Sequence, residues 1–295
     1  MKLGLEVGGE ASTVPACRRG PFCRCLLLAV IVLLLTGLLW SPPLARAADA
    51  AARRVLGFSS DGRYFAVEQY SMVYEEEESF AEYLVVNTQN NTFVPGTPIR
   101  ALARGDDGLD EVRARAAAAK KAGPLLARLG INSPGRHIAG SPSMDLNGIG
   151  IYQLRRDPLA RTLDVPLPAG RGARVELVSH PVAEAMCEGY GGRGVSAPAM
   201  GHGLTLTLAV DDNPPQMLQQ DIRLPRYRRC AGDYGIAEAW LYPAPDGALV
   251  LVVLVEFVDN DHFHAGPSRR FMVVSGRIPL PVPEKRDVPA RPRRG

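Results

Sequence analysis

Four side chains in one short run are the types that hold a divalent metal: Asp259, Asp261, His262 and His264, in VDNDHFHAGP. A His-x-His pair on an extended segment points both imidazoles to one face. Imidazole with neighbouring carboxylate suits zinc or copper. No further ligand stands at a fixed spacing, so the competing reading is a polar tip between two strands. Gly189, Gly191 and Gly194 satisfy G-x-G-x-x-G. A dinucleotide site needs a helix to open behind that pattern. Ala197-Pro198 and Gly201-His202-Gly203 follow instead, so the run reads as a loop and implies no organic cofactor. Ser196, His202 and Asp211 make a triad only on paper, and no catalytic residue is assigned. Arg223, Arg226, Arg228 and Arg229 could form an anion patch, against exposed positions around a disulfide as the plainer reading. His137 and His180 have no evident partner.

The cysteines bear on where this chemistry takes place. Arg18, Arg19 and Arg24 precede an apolar run from Leu26 to Trp40, which Pro42-Pro43 ends ahead of Ala45-Arg46-Ala47. A basic flank, a short apolar stretch and a small-x-small site describe a secretory signal peptide over 1–47, cleaved near Ala47. The run is too short to span a bilayer, so the mature chain carries no membrane span. Cys187 and Cys230 are the two cysteines left after cleavage, and an oxidising compartment favours a disulfide between them. The segment also takes five of the 34 basic and two of the 31 acidic side chains, leaving 29 of each. A mature chain without net charge has no field to steer it to nucleic acid or an anionic membrane.

The elements that must position these groups are mostly strands. RVLGFSSDGRYFAVE (54–68) is an apolar strand, an Asp61-Gly62 turn and a second strand, and FAEYLVVNT (80–88) is a third. WLYPAPDGALVLV (240–252) repeats the turn at Asp246-Gly247, and SRRFMVVS (268–275) sets Met272-Val273-Val274 where Leu84-Val85-Val86 stand. The expectation is two equivalent three-stranded units, 54–88 and 239–276, with Glu75 to Glu78 a solvated tip in the first. Between them, Leu109, Val112, Ala116 and Ala119 recur at helical spacing, predicting a helix over about 106–130. Asp106-Asp107 would cap it, Gly123-Pro124 would interrupt it and Gly130 would end it. Further strands are expected at 148–155, 174–179 and 204–210, with a short one at Ile222 and Leu224. The tail 279–295, rich in Pro and Arg, is expected to lie outside the fold.

The motif FSSDGRYFAVE resembles the blade opening of WD-type and Tol-system propellers. That array needs about four or more blades, and the middle of the chain supplies none. More widely, RVLGFSSDGRYFAVEQY, Gly96-Thr97-Pro98, PLLARLGI (124–131), DIRLP (221–225) with the following Arg-Cys, and Tyr234 resemble a family of bacterial predicted secreted proteins with a domain of unknown function. The resemblance spans 53–276. It implies export and a shared fold, and no catalytic residues.

The fold expected is therefore mainly β and antiparallel, with blade-like three-stranded units and one helical segment, or α+β as an alternative label, in a single domain over 48–278. The function expected is an exported periplasmic or secreted binding module, for a cell-envelope protein or a small ligand. The alternative is an exported hydrolase or metal-dependent enzyme using Asp259 to His264.

Overall fold

The structure is a computed structural model. It describes residues 51–73, 78–105, 110–140, 160–184, 187, 200–228, 230–259 and 268–279. The readings of 1–47, 148–155, 189–194 and the tail beyond Pro279 lie outside the described residues, as do Asp106-Asp107.

Among the described residues fourteen strands form three antiparallel sheets. The first holds β1 (Ala52–Ser59), β2 (Tyr64–Val73), β3 (Glu78–Asn87), β4 (Thr92–Phe93), β5 (Ile99–Arg104) and β6 (Ile131–Ser133), in the order β4-β3-β2-β1-β6 with β5 on β3. The second holds β7 (Arg136–Gly140), β12 (Ala231–Pro243), β13 (Ala248–Asp259) and β14 (Ser268–Pro279), in the order β14-β13-β12-β7. The third holds β8 (Thr162–Pro166), β9 (Gly172–Ala183), β10 (Met200–Val210) and β11 (Gln216–Gln220), in the order β11-β10-β9-β8. Strands at 174–179 and 204–210 are present as expected. Ile222 and Leu224 form none, because the chain turns there toward Cys230.

The second sheet lies between the other two. Its strand β13 is buried from Leu249 to Val255. Leu249, Leu251, Val253 and Val255 pack on Val175, Leu177, Leu204, Leu206 and Leu208 of the third sheet. Val250, Val252 and Leu254 pack on Phe58, Phe65, Val67, Leu84 and Val86 of the first. A strand covered on both faces needs no polar alternation, which explains the unbroken ALVLVVLV.

The one α-helix among the described residues, α1 (Asp110–Arg128), covers the remaining face of the first sheet. It runs through Pro124 as one helix, so the expected interruption at Gly123-Pro124 does not occur. The expected apolar stripe is also displaced. Val112 is 63% exposed, and the buried positions are Ala114, Ala118, Ala122 and Leu125. Ala114, Ala118 and Ala122 meet Ala81 and Ala101, so small side chains on both partners let the helix sit close to the sheet. Gly130 ends it at φ 63°, as expected.

β1-β2-β3 and β12-β13-β14 are matching antiparallel triads. The Gly62 N–H donates to Ser59 O at 2.9 Å, and the Gly247 N–H donates to Ala244 O at 3.0 Å. Asp61 Oδ1 accepts from the Arg63 N–H, and Asp246 Oδ1 from the Ala248 N–H. Both glycines have positive φ, 70° and 81°. The triads face one another across the core, not side by side as blades. The third strand aligns differently from its expected position. Phe65, three residues past Gly62, pairs with Val86; Val250, three past Gly247, pairs with Arg277. Leu84-Val85-Val86 therefore match Ser275-Gly276-Arg277, not Met272-Val273-Val274, and Phe80 matches Phe271. These two rings lie together at the far end of the core.

Substitution at the two turns should separate strain from crowding. Gly62→Val and Gly247→Val each force a β-branched residue to positive φ, at about 1–3 kcal/mol. A Cβ at Gly62 also meets Tyr242 Cδ1 at 3.1 Å and Val250 Cγ2 at 3.3 Å, whereas Gly247 has open space. Urea denaturation should rank Gly62→Val as the more damaging; the reverse order would contradict the packing.

Glu78 corrects the picture of a solvated acidic tip. It begins β3, buried, and its Oε1 accepts from Arg104 Nε at 3.0 Å. Residues 74–77 lie outside the described residues. Beyond Glu78, side chains of the first sheet cover the outer edge of β14. The Gln69 amide exchanges two hydrogen bonds with the backbone of Phe271, and Asn91 does the same at Ser275. An edge strand closed in this way cannot template another chain at those positions.

Candidate functional site

A cleft of about 680 Å³ opens where strands stop at the end of the fold that carries the two Asp-Gly turns. Its walls come from four segments. The β6–β7 connection supplies Ser133, Pro134, Gly135 and Arg136, the end of β8 supplies Pro166, Leu167 and Pro168, β12 supplies Leu241, Tyr242 and Pro243, and Leu249 comes from β13. Proline has no N–H to continue a ladder, so Pro134, Pro166 and Pro243 each sit where a strand breaks off or ends. The layers lose their hydrogen-bonded edges together and leave a gap between them.

The walls are fixed. Tyr242 stacks on Phe58 with ring centroids 5.0 Å apart, and its hydroxyl donates to Ser60 O at 2.8 Å. Gly135 passes so close to Phe58 that a Cβ would stand 2.6 Å from the ring. The Leu167 N–H donates to Arg171 O at 3.0 Å, which holds the Pro166–Pro168 corner. The lining is apolar except for Ser133 and Arg136. Arg136 is exposed, and among the described residues it enters no ion pair. This is the usual composition of a binding cleft, apolar walls with few polar anchors. Sequence reading missed it because its prolines lie in three distant segments.

The buried charges have another role. Arg228 is fully buried, which corrects its reading as an exposed position of an arginine cluster. Its guanidinium donates to both carboxylate oxygens of Asp221, 2.7 Å from Nη2 to Oδ1, and Nη1 also reaches the Tyr234 hydroxyl at 3.2 Å. Burial alone would raise the Asp221 carboxyl; the bonds from Arg228, the Leu204 N–H and Gln219 outweigh it and hold it below the ordinary carboxylate range. Burial pushes the Tyr234 hydroxyl up to about 12, partly offset by Arg228. Beside this network Cys187 and Cys230 form the expected disulfide, packed with Leu224. Asp221, Leu224, Arg228, Cys230 and Tyr234 thus bind one loop to the core. Arg223 and Arg226 are exposed, and Arg229 lies outside the described residues.

A second buried carboxylate, Glu238, accepts from Arg53 Nε at 2.9 Å, and its other oxygen stands 3.5 Å from His137 Nε2. His137 therefore has a charged neighbour that the sequence did not indicate. Its ring meets Trp240 edge-on, at 5.0 Å between centroids. His180 Nε2 bonds Asp221 O at 2.9 Å. Glu68 joins Arg54 and Arg115, and Arg115 also lies 3.7 Å over the Tyr70 ring. These pairs tie β1, β2, β7, β12 and α1 together.

Of the remaining sequence candidates the structure describes only some. Asp259 ends β13 opposite Ser268 in the ladder, while its side chain and Asp261, His262 and His264 lie outside the described residues. Among the described residues no group of three His, Cys, Asp or Glu could hold a metal. His202 and Asp211 stand nine residues apart at opposite ends of β10, about 30 Å in an extended strand, so they share no triad. Asp211 instead accepts from Arg171 Nε at 2.7 Å and from the Gly172 N–H. Ser196 lies outside the described residues. Among those residues no helix is long and apolar enough to cross a membrane.

No curated protein matches the chain. A family model described as predicted secreted protein (DUF2259) matches residues 66–277. That span takes in the first triad from Ala66 onward, the second triad as far as Arg277, the helix, the disulfide and the cleft, and agrees with the resemblance carried by Gly-Thr-Pro and DIRLP. The chain belongs to this family of predicted secreted proteins.

Proposed function

We propose that the protein is an exported binding module whose proline-lined cleft takes an extended, proline-containing segment of a cell-envelope protein. The supporting observation is the cleft itself, with rigid apolar walls built on Tyr242, Pro243, Pro166 and Pro168 and an exposed cation, Arg136, at the rim. A polyproline II segment has lost most of its conformational freedom before binding, so shallow apolar and aromatic walls suffice to hold it. A small ligand with several hydrogen-bonding groups would find few partners on such a surface.

The test is an NMR titration of the full chain with a synthetic ten-residue peptide of alternating proline and valine. Shift changes should cluster at 133–136, 166–168 and 241–243. Pro243→Asp, at an exposed position, should weaken binding about tenfold without lowering stability. Shift changes scattered over the surface, or none at millimolar peptide, would sink the proposal.

A further inference from the structure

We propose that the outer edge of β5 is a docking strand, to which an extended acidic segment of a partner protein adds as one more strand of the first sheet. Carboxylates of that segment meet Arg100 and Arg104, and an apolar residue between them lies on Leu102. The edge shares no residue with the cleft.

The ladder fixes which way the backbone of β5 faces. The Val94 N–H donates to Val85 O at 2.9 Å, so Val85 turns its backbone groups away from β2, toward β4 and β5. Direction alternates along an antiparallel ladder, and β3 pairs with β2 in unbroken register. Ser79, Ala81 and Tyr83 therefore bond to Ala103, Ala101 and Ile99, which stand opposite them. The N–H and C=O groups of Arg100, Leu102 and Arg104 are left pointing out of the sheet. Lys121 Nζ donates to Arg100 O at 3.3 Å, as that orientation requires. Among the described residues no strand pairs with this edge. The side chains indicate what fits there. Ala101 packs on α1, so Arg100, Leu102 and Arg104 share the opposite face. Leu102 is 49% exposed. The Arg104 side chain is 76% exposed although its Nε reaches Glu78. Arg100 lies 5.1 Å over the Phe80 ring, and Glu82 opposite it takes the Gln69 amide at 2.9 Å. Arg100 and Lys121 enter no ion pair among the described residues. Pairing of two copies about Leu102 sets Arg100 against Arg104 of the second copy, and like charges opposite one another repel. An acidic strand reverses that sign, and its main chain satisfies the open N–H and C=O groups.

The test is amide hydrogen exchange, read by NMR on the full chain, with the peptide Thr-Glu-Thr-Val-Thr-Glu-Thr and a control in which both Glu are Lys. The N–H groups of Ala101 and Ala103 should exchange slowly throughout, since β3 already holds them. Those of Arg100, Leu102 and Arg104 should exchange fast in the free chain and slow down with the acidic peptide, not with the control. L102P removes one outward N–H at an edge that tolerates proline, and should weaken the acidic peptide about tenfold. R100E should weaken it about fivefold and favour the lysine peptide instead. Three results would each overturn the proposal: no slowing at 100, 102 and 104 at millimolar acidic peptide, equal slowing by both peptides, or slowing that grows with chain concentration alone, which would make the occupant a second copy.

Discussion

Replacing Arg228 with Met should lower the unfolding free energy by about 3–5 kcal/mol, because it strands a buried carboxylate. Arg228 and Asp221 are both nearly fully buried, and Arg228 donates to both oxygens of Asp221. Without it, Asp221 keeps the Leu204 N–H and Gln219 Nε2 as its carboxylate's donors among the described residues. Removing both charges, in Asp221→Leu with Arg228→Met, should cost less than the single change, since no charge is left unpaired. It is not free, because the Leu204 N–H loses its acceptor, at about 1–3 kcal/mol. The pH dependence has a definite sign. Asp221 is held below its ordinary range in the fold. Such a group stabilises above its unfolded pKa, and that contribution is lost as pH falls through the folded one. The gap between native protein and Arg228→Met should therefore narrow below about pH 4. Urea denaturation at pH 7 and pH 3 measures this. A loss under 1 kcal/mol at pH 7, or a gap that widens in acid, would contradict the structural role.

Removing the disulfide should have a comparable effect by a different route. Cys187 and Cys230 are 43 positions apart, and closing a loop of that size restricts the unfolded chain by about 4 kcal/mol in the chain-entropy model. The bridge also fills space in the fold. A Cβ on Gly201 would stand 2.5 Å from Leu224 Cδ1 and 2.9 Å from Cys187 Sγ, so the loop, the sulfur and β10 are in direct contact. Cys187→Ser with Cys230→Ser, compared with native protein under non-reducing conditions, should show that loss. Because Arg228 anchors the same loop two residues away, combining it with the double serine change should cost other than the sum of the two. Strict additivity would mean that the two anchors hold the loop independently.

Much of this architecture was legible in the residues themselves. The Asp61-Gly62 and Asp246-Gly247 turns need positive φ and the flanking strands need β-branched and aromatic residues, so both hairpins follow from local chemistry alone. Gly130 ended the helix for the same reason. Cys187 and Cys230, the two cysteines outside the expected signal peptide, indicated their own bridge. Apart from that bridge, long-range placement was not legible. The helix stripe was misread because Ala packs where Val112 does not: the close approach of Ala81 and Ala101 decides that face, and they lie on other strands. The third strand of the second triad was set three residues off because Leu84-Val85-Val86 and Met272-Val273-Val274 are alike in composition, while register depends on the ladder from Val250 to Arg277. Glu78 and Arg228 looked solvent-exposed because a charge next to others reads as surface, and only the fold brings Arg104 and Asp221 to them. The cleft is the clearest case. Pro134, Pro166 and Pro243 each mark a local strand end that the sequence determines. That those ends coincide around Tyr242 and Leu249, beside the departing Pro279, is decided by how three sheets stack.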